Sequence, residues 1–444
     1  MSPTNYVLDG QQRLTVVYSC FGAPEVETGF SAVYNLLEEK FEEFVEPDPY
    51  KFNLRNIFDT TKLLNFRAGL ISHKDSAVLQ QRLDKLVDSV HNYKFPVVTL
   101  KDLSIEEVGV IFERINSSGT KLSVYDLMVA ATWTQNFSLD ENVQEILLSL
   151  ETKRFNDLEP NTVLKCMAAV NSASVKKKSI FELRDLKEHE ISLLTERTKD
   201  ALLKSVDFFS NEFNVFGSDF LPYEAQLITI CYVFSVFKSL SSSQAIKLRK
   251  WFWQSSFGER YRVGGENFLT NDLESIKKYL EESEAIDSMD FGALPNARDL
   301  EKIQFRKNNS RSVAYTLAMS LLKPRSIVNG TAVELQQSLS VYNQRNFHHF
   351  YPKAHLKRLN NDDNANAITN IIFLSASDNI SISDADPVSY VSDCVSNLEE
   401  MTDDVFSSNL LPAPSKFDYT QESFESFISE RAKLIEAYIK SLIG

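Results

Sequence analysis

His348-His-Phe-Tyr-Pro-Lys-Ala-His-Leu356, followed by Asn370-Ile-Ile-Phe-Leu-Ser-Ala-Ser-Asp-Asn379, carries the densest chemical information in the chain. Three of the six histidines fall within eight positions here, and Tyr390 follows soon after. Water-driven phosphodiester hydrolysis with a metal needs one imidazole to take a proton, a ligand pair for Mg²⁺ or a similar ion, and an amide to steady the base. Two adjacent imidazoles and two asparagines supply that set. Asn370 and Asn379 stand nine apart with the apolar run Ile371-Ile-Phe-Leu374 between them, which predicts a buried strand running into a helix. One asparagine can then steady a histidine from the strand while the other meets a metal at the head of the helix. Taken singly, histidines at a turn and asparagines at its ends are ordinary capping residues; the joint spacing is what points to chemistry.

Working outward, the flanking charge agrees with that reading. The chain carries a formal net charge of -14, which argues against a polyanionic partner. Its distribution does not: between Lys302 and Arg358 ten basic residues stand against Glu334, so this stretch is +9 and the remainder -23. A local basic face is what counts for binding phosphate, and Arg345, Lys353, Lys357 and Arg358, beside the histidines, are its candidate DNA contacts.

With 444 residues, 43% hydrophobic and only 13 Gly and 13 Pro, the composition is that of a packed, helix-rich protein of more than one domain. The absence of a run of about eighteen apolar residues and of a signal-like N-terminus predicts a cytoplasmic protein with no membrane partner. Cys20, Cys166, Cys231 and Cys394 are scattered, without a C-x-x-C pair, and are expected to be reduced thiols. Periodicity predicts helices at about 30–44, 76–92, 191–209, 223–240 and 244–257, a strand at Phe95–Leu100, and a terminal helix from about Glu422 to Ile443. Lys176-Lys-Lys178 is expected in a loop, and Trp251-Phe-Trp253 with Phe257 at helical core positions.

Near the N-terminus, Asp9-Gly-Gln-Gln-Arg-Leu-Thr15 sets a glycine, two amides and a guanidinium at a strand-to-helix turn. Backbone N–H groups at a helix start and a forked arginine suit phosphate. Further on stands the polar stretch Phe112-Glu-Arg-Ile-Asn-Ser-Ser-Gly-Thr120, with Arg114, Asn116 and Thr120.

These motifs together resemble the GmrSD-type modification-dependent restriction endonucleases. His348–Leu356, Asn370–Asn379 and Pro387-Val-Ser-Tyr390 look like that family's HNH nuclease half; Asp9–Thr15 looks like its ParB-like N-terminal signature, and Trp251–Tyr261 is similar to its wording in between. The resemblance implies His349 as general base, Asn370 as the orienting residue, and His348 with Asn379 as metal ligands. It implies a nucleotide site at Asp9, Gly10, Gln11, Gln12, Arg13, Thr15, Arg114 and Asn116, with Mg²⁺ or Mn²⁺ and GTP or ATP as cofactors. The family's motif normally follows several dozen further residues, so the N-terminal domain is expected to be incomplete at its start.

The expected fold is mainly α with small α/β parts: an incomplete ParB-like region at 1–139, a helical middle domain at 140–322, and a ββα-metal (HNH) nuclease domain at 323–444 closed by a C-terminal helix. The expected function is hydrolysis of double-stranded DNA, modified phage DNA included, with nucleotide-dependent gating. One metal site cuts one strand, so nicking is expected, or double-strand cleavage by a homodimer. The alternative is a non-catalytic, nucleotide-dependent DNA-binding regulator, or an inactive truncated remnant.

Overall fold

The computed structural model describes the chain except residues 1–6, 8–9, 23–30, 45, 100–122, 264, 282–291, 307–308, 334–346, 375 and 421–422, and except the side chains of residues 11, 376, 377 and 379. Helix dominates, and among the described residues the strands form two small sheets. The backbone gathers into two compact units, Met1–Leu122 and Ser123–Gly444.

In the first unit, helix α1 (Gln11–Phe21) is followed by an antiparallel sheet of β1 (Ala32–Asn35), β2 (Lys40–Glu43) and β3 (Lys51–Asn53), with β1 central. Helices α2 (Thr60–Gly69) and α3 (Ser76–His91) complete it, the latter at the place its periodicity predicts. The helix expected at 30–44 is instead the β1–β2 hairpin. Asn35 decides this: its Oδ1 accepts from the Leu37 and Glu38 amides, offering the backbone a turn in place of a helix. Glu39 completes the turn at a positive φ of 52°. Ala32 and Leu36 then bury against Phe52, Leu79 and Leu83. Residues 95–99, expected as a strand, pair with no strand among the described residues, and Val97 and Val98 stand exposed. A β-pattern without a partner edge gains no ladder.

The second unit opens with α4 (Val124–Thr132), set by a capping box between Ser123 and Asp126. Its helical core is built on α8 (Glu188–Phe213), α9 (Glu224–Val236) and α10 (Ser242–Phe257), between the short α5 to α7 (Leu139–Ser149, Pro160–Ser172, Lys177–Phe181) and α11 (Gly265–Glu281). Lys177 and Lys178 therefore lie in a short helix, not a loop. Trp251, Phe252, Trp253 and Phe257 are buried as expected, with Phe252 stacked on Phe213 at 3.9 Å between ring centres. Gln226 of α9 ties α10 down by donating to the Phe252 carbonyl and to the Ser255 and Ser256 hydroxyls. The remainder of the Trp251–Tyr261 motif serves packing too: Arg260 forks onto the buried Asp272 of α11, and Tyr261 donates to the same carboxylate. Cys166, Cys231 and Cys394 are buried and Cys20 half-buried, all as free thiols.

After the short α12 (Ala297–Leu300), α13 (Ser310–Leu321) belongs to this helical body and also touches the C-terminal part: the Tyr315 hydroxyl donates to the Ile371 carbonyl at 2.9 Å. That part contains β4 (Phe347–His349), α14 (Lys353–Arg358), β5 (Ile371–Phe373), α15 (Ala376–Ile382), α16 (Pro387–Leu398) and α17 (Thr402–Ser408). The terminal helix α18 (Phe424–Ile443) stacks Phe427 on Phe350 at 4.8 Å, and its Tyr438 donates to the Ala318 carbonyl of α13. Burying one such phenyl ring stabilises by roughly 1.5–3 kcal/mol. Among the described residues no helix is long and apolar enough to cross a membrane.

Candidate functional site

The two adjacent histidines form the end of β4, which runs antiparallel to β5 with Phe347 opposite Phe373, His348 opposite Ile372 and His349 opposite Ile371. Side chains on a strand alternate, and opposed residues share a face. His348 therefore shares a face with Ile372, which packs in the C-terminal core with Ile382 at the end of α15 and Tyr390 of α16. His349 leaves on the other face, beside Phe347, whose ring meets Phe373 and Phe305 at 5.2 and 5.3 Å. Asn379 lies within α15, directly after β5. His348, on β4, and Asn379, on α15, thus lie on successive members of a strand, strand, helix order.

Asn370 sits immediately before β5 and is fully buried. Its Oδ1 accepts from the Tyr351 amide at 2.8 Å, and its Nδ2 donates to the Tyr351 and Ala365 carbonyls at 3.0 and 2.9 Å. Its own carbonyl accepts from the Phe350 amide at 2.8 Å. The expected contact with a histidine ring is replaced by a clamp on the backbone just after His349, because the amide lies level with the turn rather than with the imidazole. Tyr390 adds a bond from its hydroxyl to the Phe350 carbonyl. The turn Phe350-Tyr351-Pro352 is thereby fixed from both sides.

The imidazole of His349 is met by a residue that the spacing did not indicate. His349 Nε2 lies 2.9 Å from Oδ1 of Asn366, in the loop that leads to β5. Burial holds this imidazole below the ordinary histidine pKa; the Asn366 hydrogen bond works against that, and the Lys353 charge adds to it. The neutral form, the one able to accept a proton, is favoured.

Arg431 of α18 is the second residue the sequence did not announce. Fully buried, it donates to the carbonyls of Thr369 and Ile371, either side of Asn370, each at 2.8 Å. Further bonds reach the Tyr315 hydroxyl and the Leu410 and Asn409 carbonyls.

Of the candidate DNA contacts, Lys353 and Lys357 are exposed on α14, four residues apart and so on one face. Arg358 is exposed and pairs with Asp384 at 2.7 Å, and Arg345 lies outside the described residues. Elsewhere in the basic stretch, Arg311 pairs with Glu259 and Arg325 bonds the Gly330 carbonyl. His355 is half-buried and 4.0 Å from Asp386.

At the N-terminal motif Gly10 adopts a left-handed φ of 86° and caps α1, a conformation that favours glycine. The Arg13 guanidinium folds back to within 3.5 Å of where a Cβ on Gly10 would stand. Gln12, Arg13 and Thr15 are exposed along the first turn. Asp9, Arg114 and Asn116, with Thr120, lie outside the described residues, as does the side chain of Gln11.

Residues 2–133 match the family model described as GmrSD restriction endonuclease, N-terminal domain. The GmrSD match covers Asp9–Thr15 and Phe112–Thr120, and it takes in less than a third of the chain. Along its whole length the chain is also similar to an uncharacterized protein of Methanocaldococcus jannaschii, 22% identical over 517 positions that cover 100% of this chain and 85% of the relative. The His348–Asn379 site lies outside the GmrSD-matched segment.

Proposed function

We propose that the chain is a metal-dependent DNA endonuclease of restriction type, acting in phage defence, with its hydrolytic site at His348, His349, Asn370 and Asn379. The observation that carries this reading is the local order of β4, β5 and α15: a half-buried imidazole at a strand end, the backbone just after it clamped by Asn370, a second imidazole beside it on the strand, and Asn379 in the helix that follows β5. The similarity of residues 2–133 to a restriction endonuclease domain supports the substrate class.

His349 takes the proton from the attacking water, its neutral state favoured by burial. Asn370 and Tyr390 hold the backbone that carries it, so the base needs little reordering when DNA arrives. His348 and Asn379 would hold Mg²⁺ or Mn²⁺, which supplies charge stabilisation to the phosphate. An imidazole and an amide oxygen, without a cluster of three or more His, Cys, Asp or Glu among the described residues, fit an ion that keeps most of its waters and takes phosphate oxygens; they do not fit a closed structural zinc site. Lys353 and Lys357 receive the DNA backbone on the exposed face of α14. The N-terminal unit binds GTP or ATP at Gly10–Thr15 and gates cleavage, the exposed Arg13 meeting phosphate.

The test is nicking of supercoiled plasmid and of modified phage DNA with Mg²⁺ or Mn²⁺, with and without GTP or ATP, beside His349→Ala. Cleavage by the wild type and not by the variant is expected, with nucleotide dependence reporting the gate. DNA binding without cleavage of any substrate would reject the hydrolytic reading in favour of a DNA-binding regulator.

A further inference from the structure

We infer that Asn366 is the positioning residue of His349: it selects the ring's tautomer and leaves Nδ1, not Nε2, as the nitrogen that meets water. This rests on the hydrolytic reading of the site. The contact is between Nε2 and the amide oxygen Oδ1, at 2.9 Å. An oxygen there can only accept, so Nε2 carries the hydrogen and the lone pair is at Nδ1. A ring held by one nitrogen keeps the other aimed in a fixed direction.

Asn366 is itself held independently of the histidine. Its carbonyl accepts from the Phe305 amide at 2.7 Å, the Ile368 amide donates to the Ile303 carbonyl at 2.9 Å, and Gln304 bridges Ala367 in antiparallel register. The same segment places the Phe305 ring on Phe347, the strand residue that shares a face with His349. Residues 303–305, which link α12 to α13, thus fix the backbone of the positioning residue and line the face from which the imidazole projects. None of these backbone bonds uses the Asn366 side chain, so replacing it leaves the segment in place.

The experiment has an arm that does not depend on turnover. In protein labelled with ¹⁵N-histidine, long-range proton–nitrogen correlations identify the tautomer of each neutral ring, and His349 is assigned by its disappearance in His349→Gln. The wild type is expected to show the Nε2–H form and Asn366→Ala a mixture of both. In plasmid nicking, Asn366→Ala is expected to lower kcat by about 10- to 100-fold with KM for DNA unchanged, the range typical of lost orienting partners. Asn366→Asp, which keeps an acceptor oxygen, is expected to restore kcat to within a few fold. A wild-type Nδ1–H tautomer, or an unchanged kcat in Asn366→Ala, overturns the inference. If the wild type cleaves no DNA, the hydrolytic reading fails by that result, while the tautomer still decides whether Asn366 sets the ring.

Discussion

Replacing Asn370 by alanine should damage stability and turnover together, which separates a clamp from a group that acts on substrate. The side chain is fully buried and makes three hydrogen bonds of 2.8–3.0 Å, all to backbone groups at Tyr351 and Ala365. Truncation leaves one amide and two carbonyls without these partners. Each buried group so orphaned costs about 1–3 kcal/mol, and water entering the vacated space returns part of it, so a net loss of about 2–5 kcal/mol is expected. Asn370→Asp should be no milder: one oxygen still accepts from the Tyr351 amide, but the other sets negative charge against two carbonyls. The measurement is urea unfolding followed by tryptophan fluorescence, since Trp251 and Trp253 lie in the helical body of the same unit, run beside plasmid nicking. His349→Ala provides the contrast, with nicking lost and the unfolding midpoint held. A change below about 0.5 kcal/mol for Asn370→Ala, the scale of an ordinary surface substitution, would refute the clamp.

Three further outcomes follow from the same geometry. Arg431→Met should destabilise by about 3–5 kcal/mol, the scale of breaking a buried charged network, and should slow nicking because the carbonyls flanking Asn370 lose their donor; unfolding and nicking assays check both. Asp272→Leu removes the buried carboxylate that pairs with the Arg260 guanidinium and accepts from Tyr261, and should cost about 3–5 kcal/mol with nicking per folded molecule unchanged, as thermal melts and normalised activity would show. Lys353→Ala with Lys357→Ala should weaken DNA binding across all sequences and flatten the salt dependence of log K by about 1 for each lost phosphate contact, whereas Arg358→Ala should change the slope little because Asp384 already holds that charge.

Where periodicity was long, it located the fold. Helices α3, α8, α9, α10 and α18 stand where the apolar spacing predicts them, because α9 is apolar on nearly every side and buried, and the others carry a stripe wide enough to bury against neighbours. It failed in short segments governed by a single side chain. From Ser31 to Phe44 the apolar residues fit a helical repeat, yet the Asn35 side chain captures two amides and turns the chain into a hairpin. The Phe95–Leu100 run has β-branched residues without a partner edge for its described part, and alternation alone cannot supply one.

The site was legible to the extent that its parts are close in sequence. An apolar strand between two asparagines foretold β5 and α15. What holds them was not legible, for a reason rooted in the size of the sheet. β4 and β5 are three residues each, too short for ladder bonds to satisfy the flanking backbone. The groups around them are met instead by side chains from elsewhere: Tyr315 of α13 and Arg431 of α18 at Ile371, Tyr390 of α16 at Phe350, and Asn370 at Tyr351. Arg431 reaches across about sixty residues, and its fixed fork of donors suits carbonyls pointing from several directions. The base proposed on so small a sheet is therefore only as well placed as the helices around it, which makes α18, at the far end of the chain, part of the site's construction.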